Sequence, residues 1–236
     1  MDQPRSLAAD ALGLIRGPVA TQALVRALRD STTRRLDPVL EQAEYVVANR
    51  IAENLDHSSD ADAVDALLDA LRTYPYPGCV KALSRTRERR AIPLLAERLG
   101  DDVTRDAAVE GLRRFDPELT QRVLVQTVAD RRLDNGVERS DRVWGRAAAV
   151  LLLGELGVAD VELARALDDP QAEVREAAAR ALSVRGAVDT RAIDVLVDAL
   201  GGEDGCAPRR PVKRSRPSRK RPFHGFWRRL YGAVKT

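Results

Sequence analysis

The sequence predicts an all-α protein: a right-handed solenoid of about six helix pairs, a disordered basic linker and a short C-terminal amphipathic helix. Three observations carry this. The pattern Arg-x-x-Ala-x-x-x-Leu occurs four times, at Arg5/Ala8/Leu12, Arg105/Ala108/Leu112, Arg146/Ala149/Leu153 and Arg175/Ala178/Leu182. Offsets of three, four and seven put the Ala and Leu on one helical stripe. Large rings are scarce before the C-terminus, so the core must be Ala, Leu and Val, a composition that favours helix over sheet. Finally, all 36 acidic residues lie at or before Asp204, and 11 Lys and Arg with no acid follow. Residues 1–204 carry a formal −8 and residues 205–236 a formal +11, although the whole chain is only +3. Such a split marks an interaction tail on a folded body.

Taken in chain order, residues 4–15 form the first Arg-x-x-Ala helix. It is the second helix of a repeat, standing without its partner, and is expected to act as a cap rather than as the remnant of a lost repeat. Weaker copies of its stripe follow at Ala48/Ile51/Leu55 and Cys79/Ala82/Leu83. A second helix family alternates with the first, marked by an apolar residue three before a Leu or Val. Its members are Val25/Leu28, Leu68/Leu71, Ala96/Leu99, Val125/Val128, Ala164/Leu167 and Val197/Leu200. Successive final positions lie 43, 28, 29, 39 and 33 residues apart, so the unit is a helix pair of about thirty residues with two lengthened copies. Ser59 with Asp62, Ser140, and Asp169 before Pro170 are N-terminal signals. Gly154/Gly157 and Gly186 close the helices before them. Asn135-Gly136 marks a turn in the insertion 130–142, which is expected to be a flexible, solvated loop. No stretch of the body alternates with period two, so no strand is predicted.

Arg-x-x-Ala-Ala-x-Ala-Leu-Gly (Arg5 to Gly13) and Val-Arg-Glu-Ala-Ala-Ala-Arg-Ala-Leu (Val174 to Leu182) resemble the short HEAT repeats of the phycobilisome-lyase type. The resemblance covers most of residues 1–200 and implies a right-handed stack of helix pairs. It implies little about function. A tetratricopeptide array needs about 34 residues per unit and ring-rich positions that this body lacks.

Several chemistries are excluded. The longest apolar run, Ala147 to Leu153, falls far short of the 18 or so residues of a membrane span. The N-terminus has no basic or apolar signal-peptide region. Cys79 and Cys206 make neither a disulfide framework nor a zinc site. With only His57 and His224 there is no Ser/His/Asp or Cys/His nucleophile set, and no metal or cofactor site is predicted. The iron-dependent hydroxylase that some HEAT-like proteins resemble would need His-Glu pairs, and the chain has none. His57 reads as a solvated turn residue, Cys79 as a small core residue, Cys206 as an exposed linker thiol and Trp144 as packed.

The aligned Arg5, Arg105, Arg146 and Arg175 are read as a structural ladder, with Asp101, Asp102, Asp168 and Asp169 as partners in the turns before such helices. The alternative is an anion site. The tail divides into a Pro/Arg/Lys linker, residues 201–222, and an amphipathic segment, residues 223–236. Its candidate surface-binding residues are Arg209, Arg210, Lys213, Arg214, Arg216, Arg219, Lys220 and Arg221, then Phe223, Phe226, Trp227, Arg228, Arg229, Leu230 and Tyr231. Four prolines in fifteen residues forbid a regular helix in the linker. Beyond it, rings at helical spacing with arginines elsewhere on the wheel suit an anionic membrane interface. The same groups suit nucleic acid, through phosphate contacts and base stacking, or a protein surface, the body included.

The expected function is a non-enzymatic scaffold or adaptor in the cytoplasm, binding a protein through the solenoid and an anionic surface, membrane first, through the tail. The alternatives are a nucleic-acid-associated protein and a bilin-lyase-like chaperone or enzyme. The lyase reading rests on the repeat resemblance alone.

Overall fold

The structure, a computed structural model, describes residues 3–34, 41–131, 133–134, 137–186 and 190–200. It divides into two compact units, Met1–Leu196 and Val197–Thr236; of the second, only residues 197–200 are described. Linker and tail, residues 201–236, lie outside the described residues, and with them Cys206, His224 and every candidate tail residue from Arg209 to Tyr231.

The first unit is an all-α solenoid. Its helices are α1 (Gln3–Ile15), α2 (Pro18–Arg34), α3 (Glu41–Asn54), α4 (Ala61–Thr73), α5 (Pro77–Thr86), α6 (Ala91–Glu97) with the 3₁₀ turn η1 (Arg98–Gly100), α7 (Arg105–Leu112), α8 (Pro117–Ala129), α9 (Ser140–Glu155), α10 (Asp160–Ala166) and α11 (Ala172–Val184). The chain then enters α12 (Thr190–Leu200). The two families form two layers. In one, α1 packs on α3, α3 on α5, α5 on α7, and α9 on α11; in the other, α2 packs on α4, α4 on α6 and α6 on α8. Each helix contributes about one apolar stripe, and stacking joins the stripes into a continuous core. Ala48, Leu55, Cys79, Ala82, Leu83, Ala108, Leu112, Ala149, Leu153 and Ala178 are buried in one layer, Leu28, Leu71 and Leu99 in the other.

Four local expectations are corrected. On α1 the buried face is Ala9 and Gly13, while Ala8 is exposed and Leu12 half-buried. Among the described residues this helix packs chiefly on α2 and α3, and a Cβ at Gly13 would lie 2.0 Å from Asn54 Oδ1, so the smallest side turns inward. On α8 the buried residues are Thr120 and Leu124, with Val125 and Val128 half-buried. On α12 Val197 and Leu200 are exposed, and among the described residues no later helix covers them. The insertion, expected to hold no strand, contains a two-residue antiparallel ladder, Leu133–Asp134 with Val137–Glu138, paired Leu133 with Glu138 and Asp134 with Val137. The intervening sequence is Asn-Gly, the dipeptide that best suits a two-residue hairpin link, and so short a ladder leaves no period-two signal. Asn135 and Gly136 themselves lie outside the described residues.

Helix ends follow local chemistry. Asp60, not Ser59, caps α4 by accepting from Asp62 N, and Ser140 lies within α9 without capping it. Asp116 caps α8 by accepting from Glu118 N and Leu119 N. Gly157 and Gly186 adopt φ of 72° and 71° just past α9 and α11, a region where a Cβ is costly. Gly154 is instead buried within α9, where a Cβ would meet the Cβ of Ala181 at 2.5 Å. The scarce rings are concentrated. Tyr45, Tyr74 and Tyr76 have mutual centroid distances of 5.4 Å, and Tyr76 is fully buried.

Candidate functional site

The four repeated arginines occupy equivalent helical positions, and three make the same kind of local contact. Arg105 Nε donates to Leu99 O at 2.8 Å and its Nη2 to Gly100 O at 3.0 Å and to Asp102 Oδ1 at 2.8 Å. Arg146 Nε donates to Val128 O at 2.9 Å. Arg175 Nη1 donates to Asp169 O at 2.8 Å and Pro170 O at 3.0 Å. Each guanidinium thus serves carbonyls at the end of the preceding helix or in the following turn, where backbone acceptors lack helical donors. Two arginines also reach the next repeat. Arg5 Nη1 lies 2.6 Å from Glu44 Oε1, and its Nη2 donates to Ser31 Oγ at 3.1 Å. Arg146 Nη2 donates to the Asp169 carboxylate, which also pairs with Arg131 Nη2 at 2.9 Å and accepts from Gln171 N at 3.0 Å. Arg146 and Asp169 are each about 1% exposed, the most deeply buried ion pair described.

The Arg5 guanidinium holds the Glu44 carboxyl below its usual value of 4.5, with burial opposing and Ser31 assisting. A carboxyl whose folded value is depressed stabilises the fold above its unfolded value and loses that contribution as pH falls through the folded one. Wild type should therefore unfold more easily on acidification from about pH 5. The Glu44→Gln variant should be weaker near neutrality and approach wild type in acid. Parallel urea titrations from pH 7 downward test this, and a constant offset between the two curves would contradict it.

Of the remaining candidates, Cys79 is fully buried and burial pushes its thiol well above the ordinary range, so the position is packing, not reactivity. His57 is exposed in its turn, with Nδ1 3.5 Å from Asp56 Oδ1. Trp144 is half-buried. Among the described residues no group of three or more His, Cys, Asp or Glu could hold a metal ion, and no helix is long and apolar enough to cross a membrane.

Sequence reasoning missed a cavity of about 470 Å³ where α6 and η1, α8 and the start of α9 meet. Its walls carry Arg98, Arg142 and Arg146 beside Glu97, Asp101, Asp130 and Asp141. Two glycines bring the walls together. A Cβ at Gly100 would lie 2.1 Å from Asp141 O, and one at Gly145 3.2 Å from Gly100 N, so η1 and the first turns of α9 touch through main chain. Most charges in the walls are engaged. Asp101 Oδ1 accepts from Val103 N, Thr104 N and Thr104 Oγ1, and Asp141 takes Arg139 on both oxygens. Arg98 Nη2 donates to Leu71 O at 2.6 Å, but Arg98 Nε and Arg142 Nη1 are buried atoms with no hydrogen-bond acceptor among the described residues. The one signal in the sequence was Gly145, a glycine inside an otherwise continuous helical pattern.

Two sequence families match the chain: HEAT repeats over residues 133–210 and the PBS lyase HEAT-like repeat over residues 4–30. No curated protein matches it.

Proposed function

Because the chain carries HEAT repeats, which generally mediate protein–protein contacts, we propose that it is a non-enzymatic adaptor whose solenoid binds a protein partner and whose tail holds it on an anionic membrane surface. The observation that carries the tail reading is the charge split, −8 against +11, together with Phe223, Phe226, Trp227, Leu230 and Tyr231 at helical spacing. Each Lys or Arg held at an anionic leaflet contributes about 1 kcal/mol, reduced by salt, while ring insertion is far less sensitive to salt. Nucleic acid is the second reading, supported by the same arginines and rings. Its contacts to Z phosphates would weaken with a log–log salt slope of about −0.9Z.

Trp227 emission separates them. In a Trp144→Phe background, Trp227 is the sole tryptophan. Anionic vesicles should shift its emission to the blue, the shift should persist at about 0.3 M salt, where the Debye length is under about 8 Å, and neutral vesicles should leave it unchanged. An absent shift would overturn the membrane tether.

A further inference from the structure

Resting on the membrane half of that reading, we propose that the corner joining α1 to α2 is a second lipid-contacting element. Leu14, Ile15 and Val19 enter an anionic bilayer surface there, and Arg16 meets its headgroup phosphates. The outward face of α1 carries the argument. Pro4, Leu7, Ala8, Ala11, Leu14 and Ile15 are all exposed, recur at helical offsets of three and four, and include no polar residue. The charged residues of α1 turn to α3 instead, Arg5 onto Glu44 and Asp10 onto Arg50. An outer helix of a repeat stack needs a polar face to suit water, and α1 presents the reverse. Its apolar face culminates at the corner, where Leu14 is 84%, Ile15 71% and Val19 81% exposed. Val46, Val103 and Val161, by contrast, are exposed singly.

Shape and charge both favour lipid over a protein groove. Residues 14–19 are all exposed, and a Cβ on Gly17 would meet nothing within 4 Å, so the corner projects and has no walls. A projecting aliphatic tip enters an acyl layer without any matching pocket, while an arginine beside it reaches the phosphates. Residues 3–34 carry five arginines against two aspartates, within a body of net −8. Arg50 engages Asp10, whereas Arg16, Arg26 and Arg29 are exposed with no carboxylate paired to them among the described residues. An anionic leaflet repels the rest of that body and so selects this end. Arg16 also holds a φ of 56°, a left-handed conformation that costs an arginine and that glycine adopts freely. The rival occupant is a second copy, whose α12 exposes Ile193, Val197 and Leu200 beside Asp194 and Asp198.

The test uses the full chain with Trp144→Phe and Trp227→Phe, carrying Leu14→Trp as its sole tryptophan. Vesicles of phosphatidylserine with phosphatidylcholine should shift its emission to the blue, and phosphatidylcholine alone should not. The same chain with Val161→Trp in place of Leu14→Trp reports on α10, where the side chain is 59% exposed, and should not respond. Added to the Leu14→Trp chain, Arg16→Gly suits the backbone and keeps the fold, yet should lower vesicle affinity about fivefold, the loss of one charge at the phosphates. Ile15→Gln, at an exposed position, should lower it about tenfold or more. No shift at position 14, an equal shift at position 161, or unchanged affinity in either variant would overturn the proposal. So would a blue shift that grows with protein concentration in the absence of lipid, which identifies a second copy as the occupant. A response of Trp227 without one at position 14 leaves the tether and removes the tip, and the converse removes the tether alone.

Discussion

Asp169→Ala is expected to destabilise the first unit by about 3–5 kcal/mol, the range for removing one partner of a buried ion pair. Asp169 neutralises Arg146, whose side chain is 1% exposed, and ties α9 to the turn before α11. Without it, the Arg146 guanidinium keeps its bond to Val128 O but loses the buried carboxylate that its Nη2 meets. Arg131 loses its partner as well, but it is half exposed and solvent takes over. The substitution also removes the acceptor for Gln171 N at the entry to α11. The check is the urea midpoint of the variant at unchanged slope. A double variant, Arg146→Met with Asp169→Leu, should recover most of the loss, because apolar replacement of a buried pair is often neutral. If Asp169→Ala alone cost under about 1 kcal/mol, the Arg146–Asp169 pair would not be what fixes α9 to the turn before α11.

Gly100→Ala should cost about 1–3 kcal/mol, the usual penalty of overpacking, although it adds a single methyl group at the end of η1. The added Cβ would stand 2.1 Å from the main-chain oxygen of Asp141, and a main-chain atom cannot rotate away as a side-chain tip can. The first turn of α9 must then move away from η1, and Arg142 moves with it. Gly145→Ala closes the same contact from the other side at 3.2 Å and should cost less. The order Gly100→Ala before Gly145→Ala, measured by denaturant midpoint, is the discriminating result. The reverse order would mean that the η1–α9 contact is not the tightest point of this junction.

Much of the architecture was legible in the residues. Ala108, Leu112, Ala149, Leu153 and Ala178 are buried where the repeat places them, because three-, four- and seven-residue offsets define one face of any α-helix whatever it packs against. Gly157 and Gly186 were legible for an equally local reason, since positive φ after a helix selects glycine. The errors cluster where a helix lacks a neighbour on one side or faces a cavity. Ala8, Val125, Val128, Val197 and Leu200 all carry the right spacing, but spacing specifies a face and not whether anything covers it. The clustering of Tyr45 with Tyr74 and Tyr76, and the convergence of Arg98 with Arg142, join residues far apart in the chain and leave no short-range trace.

The chain by itself therefore determined the two alternating helix families, the apolar stripe of each and the charge split between body and tail, since these depend on local periodicity and on composition. The tertiary structure alone decided which end of each stripe is covered, that Arg146 crosses to Asp169 while Arg105 and Arg175 turn back to carbonyls, and that η1 and α9 meet through two glycines beside a cavity. Those outcomes depend on the distance between elements. Burial and pairing arise only when separate helices come within a few ångströms, and no pattern within a single helix encodes that separation.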